Sequence, residues 1–299
     1  MTPSPADQAT AARVGLITCA GLPEGDPDDA FLTAALERAG LRFEWIPWST
    51  RDASSLQDEV DVLVLRSPWD YTENYPAFVS WLQHAPVPVI NPLDLVLWNT
   101  NKSYLLELSQ RGIPVVPTQI IESADQTWQP PQDFAEFVVK PVIGAGSKGA
   151  RRFLTAEVDE AHVHANAIID HGSAVMVQPY LPSVDDGSET AVVFIEGRFS
   201  HSVTKGPMLS REGGRPMVGD LYVEEDIAPR EVTDQQLQVA QAALAAIPGP
   251  PPLYARVDLI DDLDGAPIVL ELELVEPSLF FTFEPAAADT LVAALTARL

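Results

Sequence analysis

Only one cysteine, Cys19, occurs in the 299 residues, so no disulfide can form within the chain and a reducing compartment is its natural setting. Basic residues are almost as scarce. The chain has 18 Lys and Arg against 43 Asp and Glu, a formal net charge of −25, which excludes a binder of nucleic acid or anionic membrane driven by bulk electrostatics. No apolar run of about 18 residues is present, and the first dozen residues are small and polar rather than basic and apolar. Neither a membrane span nor a leader is expected, and the chain reads as cytoplasmic. Apolar residues, by contrast, make up 46%, enough to fill the cores of about two domains at roughly 150 residues each.

Strand and helix patterns alternate through the first hundred residues. RVGLITCA (Arg13–Ala20), LRFEWIPW (Leu41–Trp48), VDVLVLRS (Val60–Ser67) and VPVINP (Val87–Pro92) read as strands. Asp28–Ala39 and Pro76–His84 between them carry helical periodicity. This order predicts an open parallel sheet, whose ligands bind beyond the carboxyl ends of the strands, where RSPWDY (Arg66–Tyr71) falls. From Asn101 the pattern turns to mixed α and β, with helices over Lys102–Gly112, Ala156–Gly172 and Ala286–Leu299 and β-rich segments between.

Three segments carry chemistry. VVKPVIGAGSKGARRF (Val138–Phe153) is a strand ending in Lys140, followed by a loop with Gly144, Gly146 and Gly149. Such a loop can fold its backbone N–H groups over phosphates, although a flexible hairpin tip would look the same, and neither the P-loop nor the dinucleotide fingerprint fits. RVDLIDDLDGAPIVLELELVEP (Arg256–Pro277) reads as a hairpin turning at Asp264-Gly265. Alternation places Glu271 and Glu273 on one face, and pairing of the strands brings Asp258 to join them. Carboxylates so crowded repel unless a cation holds them, and an all-oxygen set suits Mg²⁺ completed by substrate phosphates; a solvated strand face is the plain alternative. VMVQPYLPSVDDGSE (Val175–Glu189) is an apolar strand entering a Pro-bracketed linker, which leaves backbone groups free for an adenine edge, as any interdomain hinge also would.

In this order and spacing the segments resemble the ATP-grasp superfamily of carboxylate–amine ligases, bacterial glutathione synthetase in particular, over about Asn91 to Pro277. The resemblance implies an α/β (α+β) protein: an N-terminal open parallel sheet domain (1–100), then an ATP-grasp fold of two α+β subdomains, the small one with its glycine lid (101–177) and the C-terminal one with the metal site (178–299). It implies ATP as cofactor with Mg²⁺, or Mn²⁺ in its place. Lys102 and Lys140 resemble the two nucleotide lysines, and Gly144, Gly146 and Ser147 belong to a loop like the family's lid. Gln178, Tyr180 and Leu181 match the adenine hinge. Asp258, Glu271 and Glu273 match the metal ligands, with Arg256 and Lys205 as catalytic cations on the phosphate.

The chain departs from the pattern in places. Glu273 stands where the family usually has Asn, and the ribose acid falls at Ser188, so Asp185 or Glu189 takes its place. RSPWDY and INPLDLVLWNTNK resemble a subgroup of actinobacterial ligases, the cyclo-ligases that close O-ureido-D-serine to D-cycloserine in antibiotic biosynthesis. That resemblance implies phosphorylation of a substrate carboxylate followed by attack of the substrate's own nitrogen. An intermolecular ligase joining an amino acid or peptide to an amine shares every nucleotide motif and stays open, whereas a regulatory module without turnover would need a damaged carboxylate set. Arg66, with Trp69 and Tyr71 as walls, is assigned to the substrate, with a salt bridge to Asp70 or a neighbouring loop as its plain alternative. Arg215 in the loop Ser210–Asp220 is a second candidate. Partners are expected to be a small amino-acid-like substrate and neither nucleic acid nor membrane, with a homodimer left open. His162, His164, Cys19, Trp45, Trp48 and Trp81 read as surface or packing residues.

Overall fold

The structure is a computed structural model and describes residues 12–187, 189–209, 217–218, 221–223 and 226–299. Its first sheet is parallel throughout, in the order β2 (Arg42–Pro47), β1 (Arg13–Thr18), β3 (Val62–Ser67), β4 (Val89–Ile90). Every residue of β3 is buried, as its unbroken apolar run requires of a strand covered on both faces. Gly15 sits where a Cβ would come within 2.7 Å of Leu63 and 2.8 Å of Ile46, so a larger residue there would have to displace both side-chain ends. The helices α1 (Ala30–Arg38) and α2 (Tyr75–Gln83) flank the sheet, the second capped by Asn74. Trp48 and Trp81 pack into this core, Trp48 edge-on to Phe78 at 5.1 Å.

The second sheet is antiparallel, ordered β5 (Gln119–Ile121), β8 (Val175–Pro179), β6 (Glu136–Pro141), β7 (Arg151–Leu154). Helix α5 (Val158–Asp170) lies on it through Ala161 and Ala165 against Phe137, Phe153 and Val177. β8 runs across the boundary expected after residue 177. The third sheet, also antiparallel, is ordered β13 (Ile227–Pro229), β10 (Arg198–Lys205), β9 (Glu189–Ile195), β14 (Tyr254–Asp261), β15 (Pro267–Glu273). A two-strand ribbon, β11 (Met217–Val218) with β12 (Tyr222–Val223), stands apart. Helix α6 (Asp234–Ala245), begun by a Thr233–Gln236 capping box, covers β14 and β15. Helix α7 (Ala286–Thr296) packs between α1 and β9 in a core shared by the first and third sheets. No helix of the described residues is long and apolar enough to cross a membrane.

The edge of β15 is closed at Val269 by a backbone bridge to Pro114–Val116 and further along by side chains. Asn99, at the end of α3 (Leu93–Thr100), donates to Leu272 O at 2.8 Å and accepts from Leu274 N at 2.8 Å. Tyr104, opening α4 (Tyr104–Gln110), bonds both polar backbone groups of Leu272 at 2.9 Å. Asn91 reaches Tyr254 O, Leu274 O and Leu253 N. A buried strand edge must be satisfied somehow, and here an amide side chain imitates a neighbouring peptide. Asn99→Ala leaves the buried Leu274 N–H without an acceptor, and a urea melt is expected to show a loss of about 1–3 kcal/mol.

Candidate active site

A cavity of about 450 Å³ opens where the three sheets meet. Its apolar end is formed by Val138, Gln178, Tyr180, Leu181, Ile260 and Leu270. Gln178 is held by its amide donating to Thr118 Oγ1 at 2.9 Å, and the Tyr180 ring is backed by the Arg152 guanidinium at 3.4 Å from its centroid. A largely apolar pocket with a fixed amide beside it suits a heteroaromatic ring.

The middle of the cavity is ionic. Register pairs Asp258 with Glu271 and Arg256 with Glu273 across β14 and β15, so the expected carboxylate face exists. Arg256 grips Asp258 with two nitrogens, at 2.8 and 2.9 Å, and also donates to Glu273 and to Ser278 O. From β10, Lys205 Nζ bonds Glu189 at 2.7 Å and Asp258 at 3.1 Å. Lys102 Nζ lies 2.8 Å from Glu271 and 2.7 Å from Gly144 O. Among the described residues, no three acid, cysteine or histidine side chains are gathered around a common metal position. The acids are instead drawn to lysine and arginine side chains, with Arg256 and Lys205 each holding two of them.

Burial raises the carboxyl of Glu273 to about 8 in spite of Arg256. Burial also opposes ionisation of Asp258 and Glu271, but Arg256 and Lys205 on the one, and Lys102 and Lys140 on the other, outweigh it and hold both low. The donor set is thus hard oxygen, partly over-negative and open to a cavity. These residues fit a divalent cation that neutralises them while taking phosphate oxygens.

Lys140 differs from the other cations. It lines the cavity, yet among the described residues it forms no hydrogen bond or ion pair, and burial, with Lys102 and Lys205 adding to it, lowers its pKa. An anion brought to this point would relieve that cost. Over it lies the glycine loop, with Gly146 and Ser147 at φ of 58° and 60°. Ser147 Oγ approaches Met208 Sδ at 3.6 Å, and Lys148 pairs with Glu73 at 2.5 Å. Ile143 and Ala145 pack against the core of the first sheet, so the loop is seated over the cavity.

Two residues assigned from sequence are placed elsewhere. Arg66 is 2% exposed and does not line the cavity. It donates from Nε to Asp29 at 2.9 Å and from Nη2 to Pro277 O at 3.2 Å, which corrects its reading as a substrate ligand; the salt-bridge alternative describes it, with Asp29 rather than Asp70 as partner. Asp185 turns outward, to Arg152 and the Tyr180 hydroxyl, so of the two acids offered for the ribose only Glu189 faces the cavity. Trp69 and Tyr71 line it as expected. Arg215 and Ser188 lie outside the described residues. His164 bonds Gly149 O at 2.9 Å and His162 meets Trp128 edge-on at 4.4 Å, both in packing roles, and Cys19 is buried.

Glu276 was not singled out from sequence, and the structure places it in the cavity wall. It follows Glu273 by three positions, out of phase with the alternation that marks Glu271 and Glu273, so only its place in a run of acids in ELELVEP hinted at it.

The family model of the N-terminal domain of D-cycloserine synthetase DcsG matches residues 14–91. The cycloserine biosynthesis protein DcsG of Streptomyces lavendulae is 34% identical over 288 residues, 92% of this chain and 94% of that protein. A crystal structure of D-cycloserine synthetase DcsG superposes with a TM-score of 0.83 at 32% identity, over 96% of this chain and 99% of the other. D-alanine–D-alanine ligase from Bacillus anthracis complexed with ATP shares the fold, with a TM-score of 0.65 at 15% identity over 96% and 97% of the two chains.

Proposed function

The chain belongs to the DcsG family of ATP-grasp enzymes and is an ATP-dependent ligase that forms C–N bonds; from that premise we propose that it closes O-ureido-D-serine to D-cycloserine. The observation that carries the phosphoryl-transfer half is Lys140, a cation without a partner among the described residues, beside Lys102 and under the glycine loop.

In this reading adenine enters the slot at Gln178, Tyr180 and Leu181, Glu189 meets the ribose, and Lys102 and Lys140 take the α and β phosphates. Asp258, Glu271 and Glu273 would hold Mg²⁺, which would supply neutralisation of the phosphate charge. Arg256 and Lys205 shed part of their carboxylate load to the transferring phosphoryl group, and charge stabilisation of this kind is most of what such a transfer requires. The loop from Gly144 to Ser147 keeps water from the acyl phosphate. The substrate's own nitrogen then attacks, and an intramolecular nucleophile dispenses with a second amine site. The balance is O-ureido-D-serine, ATP and water going to D-cycloserine, CO₂, NH₃, ADP and phosphate.

Incubation with ATP, Mg²⁺ or Mn²⁺, and O-ureido-D-serine is expected to release ADP and D-cycloserine together. ADP release only after a separate amine is added would make the enzyme an intermolecular ligase instead.

A further inference from the structure

The cavity has a third region, at the end away from the adenine slot, where Trp69, Tyr71, Glu276 and Ser278 meet. Trp69 Nε1 donates to Glu276 O at 3.0 Å, which pins the chain beyond β15 against the segment that follows β3. Tyr71, itself almost wholly buried, has its hydroxyl beside the Glu276 carboxyl.

Every other carboxylate facing the cavity already has an ion-pair or backbone hydrogen-bond partner. Asp258 has Arg256 and Lys205, Glu271 has Lys102, Glu273 has Arg256 and Glu189 has Lys205. Asp28 accepts from the backbone N–H groups of Phe281 and Thr282, and Asp26 from Ser278 and Asp28 N. A carboxylate clamped by a guanidinium or an ammonium is a poor proton acceptor. Glu276, among the described residues, forms no ion pair, and the group beside its carboxyl is the neutral Tyr71 hydroxyl. Its carboxyl is raised to about 7 by burial, with Glu271 adding to the rise and Lys102, Tyr71 and Arg256 opposing it.

Taking the ligase reading above as its basis, we infer that Glu276 is the general base of the ring-closing half-reaction. Nucleophilic attack needs such a group because the ureido nitrogen bonded to oxygen carries a proton it must lose as the new bond forms. The nitrogen lone pair adds to the acyl-phosphate carbon, the N–H proton passes to the Glu276 carboxylate, and the bond from carbon to the phosphate oxygen breaks with its electron pair leaving on phosphate. Tyr71 is the positioning residue that aims the carboxylate from the substrate wall.

The experiment follows the two halves separately in Glu276→Gln. Substrate-dependent ADP release is expected to fall less than about tenfold, while D-cycloserine falls by about 10²–10⁴, the usual worth of a general base. Added hydroxylamine is expected to collect the stranded acyl phosphate as a hydroxamate, and Glu276→Asp to recover part of the ring product. A parallel fall of ADP and product, or a Gln variant that makes D-cycloserine at the wild-type rate, overturns the assignment. Wild-type enzyme that releases no ADP with O-ureido-D-serine instead sinks the substrate reading, and is recognised before any variant is compared.

Discussion

Glu271→Gln is expected to lower ATP consumption by about 10²–10³ with the fold intact, measured as ADP release across a series of Mg²⁺ concentrations. The substitution changes one oxygen to nitrogen at a position opposite Asp258 and 2.8 Å from Lys102. It removes one unit of charge from the face proposed to hold the cation, while Asn99 and Tyr104 still fix the strand just beyond it at Leu272. The Mg²⁺ concentration needed for half-maximal turnover should therefore rise by at least about tenfold. Glu273→Gln should cost much less, since it keeps a hard oxygen in place and deletes a carboxyl that burial already drives toward neutrality. Unchanged ATP consumption in Glu271→Gln would remove this hairpin from the metal site.

What could be read in advance follows from the range of the physics. Alternation along a strand and a turn of Asp264-Gly265 are local, so the carboxylate face of β14 and β15 was legible from residues close in sequence. The glycine loop after Lys140 was legible for the same reason. Which cation meets which acid was not, because Lys205 reaches Asp258 only through the sheet order β10–β9–β14, and no local pattern encodes that neighbourhood. Helix α3 was missed because its apolar residues run together without a clear 3.6-residue period, and its end residue Asn99 shows its role only once β15 lies beside it. Asp185 looked available as an isolated acid, but Arg152 on β7 folds over Tyr180 and claims it.

Arg66 presents the same lesson as a stability measurement, and the expected effect is large. Arg66 and Asp29 are both almost fully buried, and their contact leaves Arg66 Nη1 and Asp29 Oδ2 without hydrogen-bond partners among the described residues. Burial lifts Asp29 to about 6 even with the guanidinium beside it, so here desolvation exceeds the attraction. Because the folded pKa lies above the unfolded one, this group contributes stability in full below the ordinary carboxylate range, and the contribution is lost as pH rises from about 4 through about 6. A shift of about two units corresponds to about 3 kcal/mol. Arg66→Met takes away the partner and leaves a lone buried carboxylate, so at pH 8 a loss of about 3–5 kcal/mol is expected in urea melts. At pH 5, where Asp29 in the variant is protonated, the deficit should shrink markedly, and adding Asp29→Asn should recover much of it at both pH values. A variant that stays stable but needs far more substrate to reach half its maximal rate would mean that the guanidinium reaches the substrate after all; instability confined to high pH would fix its task as the buried counter-ion of Asp29.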